Sequence, residues 1–457
     1  MNWQQLLNSD RRRPTTSTGD HRSQFERDFG RCVFSTPVKR LQDKAQVFPL
    51  ETHDAIRTRL THSLEVSSVA RGLAIQTSKW LLDKKEISVD MDRSIEAIAA
   101  TCGLIHDLGN PPFGHSGEDA IRAWFKRKKN QKLLQKELKT EQQIQDFLNF
   151  EGNAQSLRLV TTLQVLADRS GLNLTFGTLS AMCKYVASSD EADEESTNRA
   201  FKKPGYFASE NEIIEQIRSA TGTGPARHPI CFLVEAADDI VYLACDVEDG
   251  VKKGVISWAS VEESLDRGID SVNKALIAAE NILKAGRSDV PKDLADDIHA
   301  AAFRTGAISV MVDAAFQVFT KQYDKIMDGT YEGDLLTESA AADLAKSLRD
   351  IGRTHVYPTR STLTLELMGR KVIGDLMDVF WEGARAMPTE GLLKTKTFPG
   401  KAAALISANY RKIFQEFVAD KPSLPATYHR IQLMTDYICG MTDSFAKTLH
   451  AELFNGR

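Results

Sequence analysis

The chain has 457 residues, with Lys+Arg 58 against Asp+Glu 62 and a formal net charge of -4 at pH 7. That near-balance excludes a protein held to nucleic acid by bulk charge and leaves only local basic patches for that purpose. Hydrophobic residues at 42% and charged residues at 26% exclude global disorder, and Gly 28 with Pro 14 is too little for a loop-rich all-β fold.

The first forty residues are polar and arginine-rich. Arg11, Arg12 and Arg13 followed by Thr15 to Thr18 predict a mobile end that leads into a helical arm around Phe25 to Phe34. Met1 to Leu7 lacks a basic leader before an apolar core, so secretion is not expected. From His62 onward, Leu64, Val69, Leu73 and Ile75 recur on one side with Glu65, Arg71 and Lys79 interspersed, which predicts a helix. Asp92 and Ser94 can cap a second helix with Ile95, Ile98 and Leu104 inward, ending near Gly109. Pro111 and Pro112 forbid its continuation. A third helix is expected from about Gly117, with Ile121, Trp124 and Phe125 at helical spacing. The basic run Lys126 to Lys129 and the acidic run Asp190 to Glu195 read as solvated surface.

Phe232 to Asp249 is apolar almost all round, as in a helix buried within a bundle. The wider apolar stretch from Pro229 to Gly250 is broken by Glu235, Asp238, Asp239 and Asp246, so no bilayer span is predicted. Segments 258–285, 293–330, 336–351 and 362–384 also read as helices, with a short hairpin near Arg353 to Thr362. The six cysteines are dispersed with no C-x-x-C pair, as expected of reduced core thiols in a cytoplasmic protein. The fold class is therefore mainly α.

Four places carry chemistry: His62 in Arg59-Leu-Thr-His-Ser-Leu-Glu65, the adjacent His106 and Asp107, the pair Asp238–Asp239, and His115 with Glu118 just after the proline turn. Two carboxylates inside Phe232 to Leu243 are costly to bury unless a cation or strong donors satisfy at least one. Two imidazoles and two carboxylates suit a divalent cation of borderline character, with positions left for water and substrate. Asp238, Tyr242 and Asp246 are four residues apart and share one helical stripe, which suits one wall of a pocket.

His62, then His106-Asp107, then a distant Asp238 resembles the H…HD…D signature of the HD-domain metal-dependent phosphohydrolases. Further segments resemble the bacterial deoxyguanosine triphosphate triphosphohydrolases. They include Arg40-Leu-Gln-Asp-Lys-Ala-Gln-Val-Phe-Pro-Leu50, Arg57-Thr-Arg-Leu-Thr-His-Ser-Leu-Glu65, His106-Asp-Leu-Gly-Asn-Pro-Pro-Phe-Gly-His115, Phe150-Glu-Gly-Asn-Ala-Gln155, Lys203-Pro-Gly-Tyr206, Glu235-Ala-Ala-Asp-Asp-Ile240 and Asp436-Tyr-Ile-Cys-Gly-Met-Thr-Asp443. The resemblance runs from about residue 22 to 446 and implies an HD-domain helical bundle with additional C-terminal helices and at most a short β-hairpin. It divides the chain into an N-terminal arm (1–39), a phosphohydrolase core (40–260) and a C-terminal helical region (261–457) that completes the nucleotide pocket and oligomer contacts.

By the same resemblance, His62, His106, Asp107 and Asp238 would hold one divalent cation, Mg2+ or Mn2+. The implied reaction splits a deoxynucleoside triphosphate, dGTP above all, into deoxynucleoside and intact triphosphate. His115 is the implied catalytic histidine, oriented by Glu118. Arg59, Lys184, Tyr185 and Lys203 fall at the substrate, the cations toward its phosphates. Tyr242 would pack where a ribose 2′-hydroxyl would sit, and Asp246 and Gln46 would hydrogen-bond the 3′-hydroxyl. The residues that choose the base cannot be matched beyond 362. The loop-rich stretch Ala386 to Lys401 is expected to serve base recognition or subunit contact.

Two other readings remain open at this level. One is another HD-domain nucleotide phosphohydrolase, a nucleotidase or a phosphodiesterase, although His21, His53, His228, His299, His355, His429 and His450 form no second clustered set for paired metals. The other is a nucleic-acid-binding protein, with Arg11 to Arg13 and Lys126 to Lys129 on the phosphate backbone. The family further implies a homo-oligomer, hexameric or tetrameric, and single-stranded DNA as a possible partner.

Overall fold

The computed structural model describes residues 1–15, 20–48, 50, 55–164, 170–286, 291, 294–421 and 423–456. Thr16 to Thr18, His53 and the first residue of the expected 293–330 helix lie outside them. The described residues are mainly helical. Among the described residues the sheet is one parallel pair, Ala187–Ser188 against Pro204–Tyr206.

The helix Arg59–Asp83 starts where Thr58 and Thr61 cap one another, and it buries Val66, Ala70, Leu73, Ala74 and Leu81 on one stripe. It packs along Val89–Ile105, and Gly103 permits the close crossing. A Cβ added to Gly103 would stand 2.7 Å from the Ser67 Cα. Pro229–Lys252 begins on a proline at its first position and is buried almost all round, as its composition predicts. It lies against Arg59–Asp83 and Ala295–Lys321. With Asp270–Ala285 and Ala342–Ile351 these helices enclose one core, which includes Leu73, Ile98, Ile240, Phe303 and Met311.

A second core joins Gly114–Phe125 to Arg360–Ala386 and Ala426–Cys439 through Trp124, Phe147, Phe380, Tyr428 and Tyr437. Residues from both sides of position 260 enter each core. The two cores meet along Val89–Ile105, whose Ile98 and Cys102 enter the first and Leu104 and Ile105 the second, so the turn carrying His106 follows directly on the seam.

Several expectations are corrected. The 258–285 segment is two helices, Trp258–Glu263 and Asp270–Ala285, because Asp266 accepts the Gly268 amide in a turn. The 293–330 segment is Ala295–Lys321 followed by Tyr323–Met327. No hairpin forms at Arg353 to Thr362. Gly352–Val356 continues the preceding helix as a wide π turn and Arg360–Ala386 starts immediately after, with Val356 buried against Phe48 and Ile56.

The N-terminal residues are docked. Trp3 and Leu6 are core residues, and Arg11 is buried in an ion pair of 2.5 Å with Asp28. Asp28 also accepts the Thr175 amide and hydroxyl. Arg11 is therefore withdrawn from any basic surface, whereas Lys126 to Lys129 are exposed. All six cysteines are free thiols, and among the described residues no helix is long and apolar enough to cross a membrane.

Candidate active site

The seam opens into a cavity of about 390 Å³. His62 comes from the first turn of Arg59–Asp83, His106 and Asp107 from the turn that ends Val89–Ile105, and Asp238 from the middle of Pro229–Lys252. His62 Nε2 is 3.1 Å from Asp238 Oδ1, and His106 Nε2 is 3.4 Å from the same oxygen. His106 Nε2 is also 3.5 Å from Asp107 Oδ2. One ligand atom each of His62, His106 and Asp107 lies within 4.8 Å of the others.

His106 Nδ1 donates to the Gly103 carbonyl at 2.7 Å, which assigns the remaining lone pair to Nε2. That atom is buried and has no hydrogen-bond partner. A lone pair without a donor, facing two ionised acids, is the donor set a divalent cation takes, so these residues fit one. Burial pushes the His106 imidazolium down, but Asp107 and Asp238 outweigh it and raise its pKa to about 9, so a proton holds the Nε2 position until a bound cation displaces it and frees the lone pair. Burial raises the Asp107 carboxyl, yet Arg59 and His106 hold it at about 2.

Arg59 donates to Asp107 through its guanidinium and to the Ala45 carbonyl at 3.1 Å. It thus sits beside Asp107 at the cavity wall rather than out in solvent. Asn110 donates to the other Asp107 oxygen at 2.7 Å, and the buried Lys44 ammonium binds the Asn110 carbonyl at 2.5 Å. Both Asp107 oxygens are thus held from behind.

The proline turn delivers His115. Phe113 has φ 64 and Gly114 φ 58, a left-handed corner from which Gly114–Phe125 starts. For phenylalanine that conformation costs roughly 1 kcal/mol or more. It is clamped by a distant acid: Asp443 Oδ1 accepts the Phe113 amide at 2.9 Å and Oδ2 accepts the Ala45 amide at 3.0 Å. His115 lines the cavity, and burial first, then Arg59, lowers its pKa, so the ring is neutral near pH 7.

Glu118 is 2% exposed, accepts the Gly152 amide at 3.1 Å and pairs with Arg122 at 2.7 Å. Its partners are thus Gly152 and Arg122 rather than the His115 ring it was expected to orient. Burial and then Glu151 raise its pKa to about 7.

The parallel strand pair places both expected lysines. Lys184 and Tyr185 lie just before Ala187–Ser188 and Lys203 just before Pro204–Tyr206, and all three line the cavity. Lys184 is 3.7 Å from Glu235, and Lys203 is 3.3 Å from Glu151. Gln46 and Tyr242 line it as well, and Gln46 Oε1 is buried without a partner. Tyr242 stacks on Tyr357, with centroids 6.2 Å apart.

Asp246 stands apart from this set. It is 2% exposed and accepts the Tyr357 hydroxyl at 2.8 Å, which occupies one of the oxygens expected to meet a 3′-hydroxyl. Sequence reasoning passed over Glu151 and Asn153, both cavity-lining. The signal was present in the Phe150–Gln155 motif, which carried resemblance without an assigned role.

Residues 59–161 match the HD domain family model. The chain is 37% identical, over 466 aligned residues covering 99% of each protein, to a deoxyguanosinetriphosphate triphosphohydrolase-like protein of Listeria innocua serovar 6a. It has the same identity and coverage to one of Listeria monocytogenes serovar 1/2a. Full-length similarity at that level, on a helical fold whose HD residues converge as described, shows that the chain belongs to the deoxyguanosinetriphosphate triphosphohydrolase-like family of HD-domain hydrolases.

Proposed function

We propose that this enzyme hydrolyses deoxynucleoside triphosphates, dGTP foremost, to deoxynucleoside and intact triphosphate, using one divalent cation, Mg2+ or Mn2+. The observation that carries the reading is the buried, unpartnered His106 Nε2 facing Asp107 and Asp238 beside His62. A cation held by these four residues supplies Lewis-acid stabilisation of an α-phosphoryl group and a water of lowered pKa.

The protein's own groups do the rest. The bond that breaks joins the α-phosphorus to the 5′ oxygen. The oxygen of water ends on the triphosphate and one proton ends on the 5′-hydroxyl. His115, neutral and at the cavity wall, takes the proton from the water and delivers one to the departing oxygen. Arg59, Lys184 and Lys203 meet the phosphate charge, and Tyr185 flanks it. Tyr242, backed by Tyr357, presents a ring face that suits a sugar lacking a 2′-hydroxyl, with Gln46 at the 3′ side. Asp246 supports that wall by holding Tyr357.

We place the enzyme in the cytoplasm as a homo-oligomer. A bimetal phosphodiesterase is disfavoured because, among the described residues, the one metal-capable group found is His62, His106 and Asp107. The test is product analysis by chromatography on the four dNTPs and GTP with Mg2+ or Mn2+. Triphosphate from dGTP is expected, and release of orthophosphate or pyrophosphate would overturn the reading.

A further inference from the structure

Glu151 is 3% exposed and yet reaches the cavity. It precedes the helix Gly152–Arg158 in extended backbone, and its Oε1 accepts from the Asn153 side-chain Nδ2 at 2.8 Å. Its Oε2 is 3.3 Å from Lys203 and 3.8 Å from Arg122. Glu118 reaches the same segment from the other side, through the Gly152 amide, and shares Arg122. Two buried carboxylates therefore flank Gly152 with two cations between them, and one of those cations, Lys203, stands at the pocket wall.

We propose that Glu151 is a positioning residue of the reaction: its carboxylate parks Lys203 beside the His115 loop and releases it to the incoming triphosphate. This rests on the triphosphohydrolase reading above. A side chain with four rotatable bonds loses considerable entropy when ordered, and a lysine already held at the wall has lost part of it before binding. When Lys203 turns to phosphate, Glu151 loses its cation and faces Glu118 with Arg122 alone. The arrangement thus links phosphate binding to the carboxyl three residues after His115. The charged and titratable groups that face Glu118 are Glu151, Arg122, Lys203 and the Cys439 thiol, and of these Glu151 is the one that opposes its ionisation most.

The experiment is steady-state kinetics of Glu151→Gln on the full chain, with pH profiles and cation titration by calorimetry. The amide keeps shape and removes charge. We expect kcat to fall about tenfold or more with KM changed far less. The acidic limb of kcat/KM should move to lower pH by about half a unit or more, since Glu118 loses the charge that opposes its own. Cation affinity should be unchanged, and Glu151→Asp should recover part of kcat and most of the profile. If Glu151→Gln does not fold, Glu151→Asp carries the test, with the same kcat-selective loss in smaller measure. A kcat and pH profile superimposing on the parent's, or losses of kcat that track thermal destabilisation alone, would overturn the proposal. A parent enzyme that yields no triphosphate would instead remove the reading on which it rests.

Discussion

His106 and His115 lie nine positions apart in one short motif, yet their surroundings send them to different tasks. The first gives its Nδ1 proton to the Gly103 carbonyl and points the other nitrogen at two acids. The second is kept neutral by burial and by Arg59. Substitution should separate these roles. His106→Ala should abolish divalent-ion binding and turnover together, as read by calorimetry and product release. His115→Ala should bind the ion normally and turn over about a hundredfold more slowly, the usual loss when acid–base catalysis is removed. Normal ion affinity in His106→Ala, or a near-parental rate in His115→Ala, would contradict the assignment.

The element scale shows which local features depend on pH. His228 caps the helix Pro229–Lys252: its Nδ1 accepts the Ile230 amide at 3.1 Å and Nε2 faces the Leu6 carbonyl at 3.3 Å. Burial lowers its pKa from 6.5 to about 4, and burial lowers that of His429 likewise. In the unfolded chain each ring takes up a proton below about pH 6.5, whereas the folded chain refuses it until about pH 4. The unfolded state therefore binds more protons in that window, so stability is full above pH 6.5 and is lost as pH falls. Each ring contributes about 2 kcal/mol of that loss between pH 6.5 and 5. His228→Asn keeps a capping acceptor and removes one titration, so urea unfolding at pH 7 and pH 5 should show a shallower decline than the parent. Parallel declines would contradict the role.

Elements were legible where periodicity was strong, as in Arg59–Asp83 and Pro229–Lys252. They were not legible where local and tertiary preferences conflict. Arg353-Thr-His-Val-Tyr-Pro reads as strand because it is rich in β-branched and aromatic residues, but Val356 is wanted in a small core with Phe48 and Ile56, and the helix is continued to bring it there. The ion pair of Arg11 with Asp28 was equally hidden, since the pocket around it needs the Asn173 carbonyl and Thr175 from far along the chain. At the site, the meeting of His62, His106, Asp107 and Asp238 was readable from residue type and order. The partners of Glu118 and Asp246 were not, because they are chosen by packing: Gly152 in one case and Tyr357 in the other.

For the molecule as a whole, the decisive bonds are the long ones. Asp443, at the start of the helix Asp443–Asn455, receives amides from Ala45 and Phe113 and so ties the last helix to the turn that presents His115. Lys44 extends the same tie through the Cys439 carbonyl at 2.9 Å. Asp443→Asn leaves one good acceptor for two amides, a cost of about 1–3 kcal/mol. It should lower kcat by about tenfold with ion affinity retained, as measured by kinetics and calorimetry. An unchanged kcat would mean that the corner at Phe113 holds itself.

That tie also sets a timetable during translation. A ribosome releases His62, His106, His115 and Asp238 in sequence, all of them before Asp443. The acid that fastens Phe113 lies 330 residues further along the chain. A nascent polypeptide that has not yet reached Asp443 therefore carries His62, His106, His115 and Asp238 without the clasp that fixes the Phe113 corner.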